Sequence, residues 1–202
     1  MSVAVTARGQ RRRARLLDAA AALVAERGFH AVGIAEIGAA AGVSGSAIYR
    51  HFASKQEILV ALLDSVVDGL LAGARRTVDE HTDARDALDA LVRAHVAFAL
   101  RDRAIIRVYD QEEYHLPEAD RARIRRTQRG YAAVWTDVLQ AVDASLDREV
   151  ARTRVHAAFG LLNSVADFTP VLGAAELAGQ LHTMTMAGLL APTATPAQTL
   201  RR

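Results

Sequence analysis

Apolar residues recur at three- and four-residue spacing along nearly all of the 202-residue chain, and no convincing run alternates with a period of two. That spacing gathers side chains on one face of an α-helix but scatters them over both faces of a strand, so the chain is expected to be all-α. Half of it is apolar, enough for a sizeable core, while aromatics are 5% and Ala is abundant. Helices are therefore expected to pack closely through small side chains. About nine are predicted: 8–27, 34–41, 45–52, 55–78, 84–100, 103–115, 118–145, 147–168 and 174–190. Gly28 is a natural stop for the first, Pro117 suits a first turn, and Thr169-Pro170 ends the eighth. The Pro/Thr/Ala-rich tail 191–202 reads as disordered.

The charge is uneven. Residues 1–55 hold eight Arg/Lys against Asp18, Glu26 and Glu36, a net of +5, and the remainder holds 17 bases and 20 acids, a net of −3. A basic front on a mildly acidic body suggests that the front meets a polyanion. The Arg-rich start and the Ala/Leu run behind it mimic a signal peptide, but Asp18 breaks the run. The most apolar stretch, 58–74, carries Asp64 and Asp68 on one helical face, so it reads as amphipathic and no membrane partner is expected. The chain has no Cys, which excludes a disulfide scaffold and thiolate chemistry and fits a reducing cytoplasm. No phosphate-binding glycine loop or nucleophile elbow appears, and the seven His form no metal-ligand spacing. Catalytic residues, a metal and a cofactor are therefore not expected.

Residues 34–52 carry the sharpest pattern: two short helices joined by Gly42-Val43-Ser44, with basic residues on both sides. These are the ingredients of a helix-turn-helix. At 100° per residue Ile48 and Phe52 share an anchoring face, Ser46 and Arg50 fall opposite, and Tyr49 lies to one side. Gly45, Ser46 and Ala47 let the backbone come close to a groove, and the Arg50 guanidinium suits a guanine edge. Tyr49, His51 and Lys55, the one lysine in the chain, suit phosphates. Ser44 can cap the third helix, while Ser54 and Glu57 have capping-box spacing at the start of the fourth. The other reading of the same residues is a solvated helical hairpin.

This stretch, with its flanks, resembles the DNA-binding signature of the TetR family of bacterial transcriptional regulators. The residues that carry the resemblance are Gly28-Phe29, Ile37, Ala41-Gly42-Val43-Ser44, Ile48-Tyr49, His51-Phe52, Ser54-Lys55 and Leu59, within about 12–63. The resemblance implies an N-terminal three-helix DNA-binding domain (1–54, with a basic arm at 1–12) and a C-terminal ligand-binding and dimerisation domain (55–190). Its implied function is a dimeric repressor, cytoplasmic at the nucleoid, released from a palindromic operator by a small-molecule effector. An activator of the same fold, or a helical adaptor that binds only proteins, is the alternative. The chain departs from the pattern at Val32-Gly33, where a hydroxyl cap usually opens the second helix. Backbone N–H groups there, approached closely at Gly33, can still meet phosphate. Ser46 replaces a frequent Gly. DNA contacts are thus expected from Arg11, Arg12, Gly33, Ser44, Gly45, Ser46, Ala47, Tyr49, Arg50, His51 and Lys55.

The effector is expected among the middle helices, where 107–135 concentrates Tyr109, Glu112, Glu113, Tyr131 and Trp135, the chain's one Trp. Asn163 and Asp167, four apart, join them as polar candidates. Core packing explains the same aromatics equally well. A Tyr-x-x-Glu…Arg…Trp pattern is similar to a family branch that senses acyl-CoA thioesters. The Arg-rich run at 121–129 suits CoA phosphates, or a solvated face with Glu118 and Asp120. Small residues around Val155, Phe159 and Leu162 suit simple internal packing, while the resemblance points to a dimer interface on the last two helices.

Overall fold

The architecture comes from a computed structural model describing residues 7–43 and 45–192; Ser44 and both chain ends lie outside the described residues, as do the side chains of Ala7, Arg8 and Ser46. Among the described residues there are nine α-helices and no strand. They are α1 (Ala7–Arg27), α2 (Ile34–Ala40), α3 (Gly45–Ile48), α4 (Lys55–Glu80), α5 (Ala84–Arg101), α6 (Arg103–Glu112), α7 (Glu118–Val142), α8 (Arg148–Asn163) and α9 (Ala174–Leu189). Two helices end in single 3-10 turns, α6 at Glu113–His115 and α8 at Ser164–Ala166. No helix of the described residues is long and apolar enough to cross a membrane.

Two compact units form, Met1–Leu71 with Asp102–Gln128, and Ala72–Arg101 with Arg129–Arg202. In the first, α1 buries Leu16, Ala20 and Val24, α2 adds Ile37, and Ile48 and Phe52 anchor the segment after the turn. α4 contributes Ile58, Leu59, Leu62 and Leu63 to the same core, which Ile105, Val108, Leu116 and Ile124 complete. In the second unit α5, α8 and α9 pack on one another. Ala87, Ala99, Ala151 and Ala158 are buried beside Leu88, Leu91, Val155 and Leu162, the small-residue packing that the composition leads one to expect.

Both predicted glycine turns form. Gly28 takes φ +81° and closes α1 through its N–H to Val24 O, and Gly42 takes φ +66° after α2. Nothing lies within 4 Å of where a Cβ on either would sit, so conformation alone calls for glycine. The α3 segment tightens sooner than periodicity suggests. Its α-helix ends at Ile48, and Arg50 and His51 then donate to the carbonyls of Ala47 and Ile48, three residues back. The chain still curls far enough for Phe52 N–H to reach Ile48 O at 3.0 Å, which seats Phe52 in the core.

Candidate nucleic-acid interface and effector site

The face expected to read DNA is laid out around two buried anchors. Ile48 and Phe52 are fully buried, while Tyr49 between them is 57% exposed and Arg50 is exposed. Burying two such side chains contributes about 1.5–3 kcal/mol each, ample to fix the orientation of a four-residue helix. Ala47 is buried and supports the helix from beneath, so it offers no side chain to a groove. His51 is half-buried. Arg11 is exposed, whereas Arg12 is half-buried with its Nε unpartnered. α1 already runs from Ala7, so both arginines sit on a helix.

Two residues of the expected interface have other engagements. The N–H of Gly33 donates to Glu36 Oε2 at 2.7 Å, and Glu36 Oε1 accepts from Arg27 at 2.9 Å. The missing hydroxyl cap is thus replaced by the reciprocal half of a capping box. Those two donors, the Gly33 N–H first, hold the Glu36 carboxyl below its usual range. This corrects the expectation for Gly33: its N–H is taken, and a carboxylate stands where phosphate was expected. Lys55 donates to His30 O at 3.2 Å and lies 4.4 Å over the Phe29 ring. Its ammonium ties the start of α4 to the α1–α2 loop, a role its charge alone did not reveal. At the start of α4, Ser54 Oγ accepts from Glu57 N–H, and Glu57 returns to Ala53 N–H at 2.6 Å.

The seven candidate effector residues separate into the two units. Tyr109, Glu112 and Glu113 belong to the first, and Tyr131, Trp135, Asn163 and Asp167 to the second. The Tyr109 hydroxyl donates to Glu113 Oε1 at 2.7 Å, with Gln128 Oε1 at 3.0 Å, and Arg125 Nε donates to the same Glu113 oxygen at 2.6 Å. Burial, then the neighbouring carboxylate, raises the Tyr109 phenol to about 12. Burial alone would raise Glu113, but Arg125 and Tyr109 hold it below its usual range. Arg123 pairs with Asp64 and Asp120. The Arg-rich run is therefore, at Arg123 and Arg125, an ion-paired surface.

In the second unit a histidine that sequence reasoning passed over lies at the centre. His95 is buried, its Nε2–H donating to Asn163 Oδ1 at 3.1 Å and its Nδ1 accepting from the Tyr131 hydroxyl at 2.9 Å. Burial lowers its pKa from 6.5 to about 4, against the smaller upward pull of Asn163, so the ring is neutral at pH 7. Phe98, Tyr131, Trp135 and Phe159 surround it with ring centroids 5.1–5.9 Å away. Burial raises the Tyr131 phenol, and the Trp135 indole N–H favours its ionised form slightly. That N–H nevertheless makes no hydrogen bond of ordinary geometry, and the buried Thr185 hydroxyl is also unpartnered. The available sequence signal was position: Leu88, Leu91, Val92, His95, Val96 and Ala99 form one helical stripe.

Asp167 is exposed, and α8 breaks into a 3-10 turn at Ser164, so Asn163 and Asp167 share no α-helical face. The proposed dimer contacts also need correcting. Val155 and Leu162 have no exposed surface, and Phe159 is part of the ring cluster around His95. The periodicity identified the inward face of α8 because that face carries its large apolar residues. Outward, α8 shows Ala157 and Gly160, and α9 shows Gly179, Thr183, Met184 and Ala187. Among the described residues no group of three or more His, Asp or Glu side chains is arranged to hold a metal ion.

These features define an all-α helix-turn-helix protein of two compact units. Residues 16–62 match the family profile "Bacterial regulatory proteins, tetR family", and residues 81–189 match "Tetracyclin repressor-like, C-terminal domain". The chain belongs to the TetR family. It is 40% identical over 103 residues to the transcriptional activator FasR of Mycolicibacterium smegmatis, covering 51% of this chain and 47% of FasR. It is 32% identical over 131 residues to the transcriptional repressor KstR2 of Rhodococcus jostii, covering 64% of each. The match thus spans about half to under two thirds of these relatives. The solved structure of the ketosteroid transcriptional regulator KstR2 of Mycobacterium tuberculosis superposes with a TM-score of 0.66 at 27% identity, covering 88% of this chain and 94% of that one.

Proposed function

We propose that the chain is a transcriptional repressor that binds a near-palindromic operator as a homodimer and is released by an apolar small molecule. The observation that carries this reading is the exposed Tyr49-Arg50 pair held between the buried anchors Ile48 and Phe52. Arg50 reads a base edge, and Tyr49, His51 and Arg11 set the register on phosphates. Ser44, Gly45 and Ser46 complete the proposed contact from the start of α3. Two recognition segments in a two-fold dimer would lie about 34–36 Å apart on successive major grooves. The dimer face is assigned to the outward, small-residue side of α8 and α9, which includes Ala157, Gly160, Gly179 and Ala187.

The effector site is assigned to the second unit, around the neutral His95. A ring cluster with a buried Trp135 N–H that makes no hydrogen bond of ordinary geometry suits a ligand that is apolar over most of its surface and carries an oxygen acceptor. An acyl thioester and a ketosteroid both have that chemistry, and KstR2 is described as a ketosteroid regulator. α4 and α7 each continue from one unit into the other, so ligand binding has covalent routes to the reading face. Ligand must prefer the state that does not fit DNA.

The test is a gel shift on DNA upstream of the protein's own gene. Arg50→Ala is expected to weaken binding by about 1–3 kcal/mol with an unchanged circular dichroism spectrum. Unaltered sequence-specific binding by that variant would remove Arg50 as the reader. A chain that binds no upstream fragment would favour the adaptor reading.

A further inference from the structure

Glu112, expected at the effector site, has its carboxylate buried in the first unit and turned toward the α1–α2 loop. Its Oε1 accepts from His30 Nε2 at 2.6 Å, and its Oε2 lies 3.9 Å from His115 Nδ1. His30 stands in the six-residue loop Gly28–Gly33, the covalent link between α1 and α2. The same loop is held from a second side, where Lys55 donates to the His30 carbonyl and covers the Phe29 ring. The neighbouring Gln56 donates to the His115 carbonyl at 2.9 Å. The loop before the helix-turn-helix, the first turn of α4 and the end of α6 are thus joined through four side chains.

The two ends of the His30–Glu112 contact differ. The His30 side chain is largely in water, while that of Glu112 is 11% exposed. If the contact opens, His30 is rehydrated but the carboxylate stays buried without that donor, at a cost larger than an exposed pair would carry. Glu112 is also the last α-helical residue of α6 before the 3-10 turn. One residue, Asp102, separates α6 from α5 of the second unit.

We propose that Glu112 is a positioning residue for DNA reading, which holds the α1–α2 loop, and through it α2, from the end of α6. This rests on the DNA-binding reading above for its consequence, though not for its structural content.

The experiment uses the full chain and two readouts: amide hydrogen exchange over residues 29–43, and binding to DNA upstream of the protein's own gene. His30→Ala is the main variant, because its exposed side chain can be removed without opening the core. Glu112→Gln removes the charge from the other side. Each is expected to speed exchange over 29–43 by about tenfold relative to α5 and α8, and to weaken DNA binding in parallel. The double variant is expected to be no worse than the poorer single one. His30→Gln, whose amide nitrogen falls near the imidazole Nε2, is expected to restore most of the protection. Unchanged exchange in His30→Ala, additive effects in the double variant, or an equal rise across all helices would each overturn the proposal. If the wild-type chain binds no upstream DNA, the DNA-binding reading fails, while the exchange pattern still decides whether Glu112 holds the loop.

Discussion

His95 gives the second unit an acid sensitivity whose size follows from its burial. In the unfolded chain an imidazole takes up a proton near pH 6.5, but in the folded chain His95 does so only near pH 4. Between those values the unfolded state binds more protons, so folding stability falls as pH falls. The loss is about 2 kcal/mol at pH 5 and about 3 kcal/mol below pH 4. Trp135, the one Trp in the chain, lies with its ring 5.9 Å from that of His95 and reports on this core directly. Urea unfolding followed by its fluorescence should show a midpoint lower by about 1 M at pH 5 than at pH 7. His95→Gln keeps a donor for Asn163 but cannot titrate, so its midpoint should move much less over the same interval. Carboxylates held below their usual range, such as Asp89 beside Arg93 and His182, lose their contribution at lower pH and are common to both proteins. Equal loss in wild type and His95→Gln between pH 7 and 5 would refute the reasoning.

Two further substitutions test local backbone chemistry. Gly42→Ala places a Cβ in open space but at φ +66°, so the cost should be conformational, about 1–2 kcal/mol by thermal melting, with Gly42→Asn costing less. Asp147 accepts from the N–H groups of Glu149 at 2.8 Å and Val150 at 3.3 Å, so Asp147→Ala should lower stability by about 1 kcal/mol while Asp147→Ser leaves it nearly unchanged.

Much of the fold could be read from spacing, because a helix buries a stripe and the stripe is visible in the sequence. The starts of α4 and α7 and the turns at Gly28 and Gly42 follow from capping, first-turn proline and left-handed backbone requirements that act within a few residues. The anchors Ile48 and Phe52 were legible for the same reason. What could not be read depends on contacts far apart in the chain. Glu112 looked like a polar pocket residue until the fold put His30, 82 positions away, against its carboxylate. His95 and Asn163, 68 positions apart, share a hydrogen bond that no local pattern encodes. Val155 and Leu162 show the reverse limit: periodicity finds a helix's apolar face but does not say whether its own chain or a second copy covers it.

The composition of the first unit's core bears on how far the helix-turn-helix can be transplanted. Ile105, Val108, Leu116 and Ile124 enter that core from a segment that returns after thirty intervening residues. A gene fusion that cut the chain after the helix-turn-helix would leave those four side chains behind. The graft would carry the helix-turn-helix without the apolar surface on which it rests. Under the proposed function, exchange of specificity between such proteins is therefore better attempted residue by residue at Tyr49 and Arg50 than by swapping the N-terminal segment as a cassette.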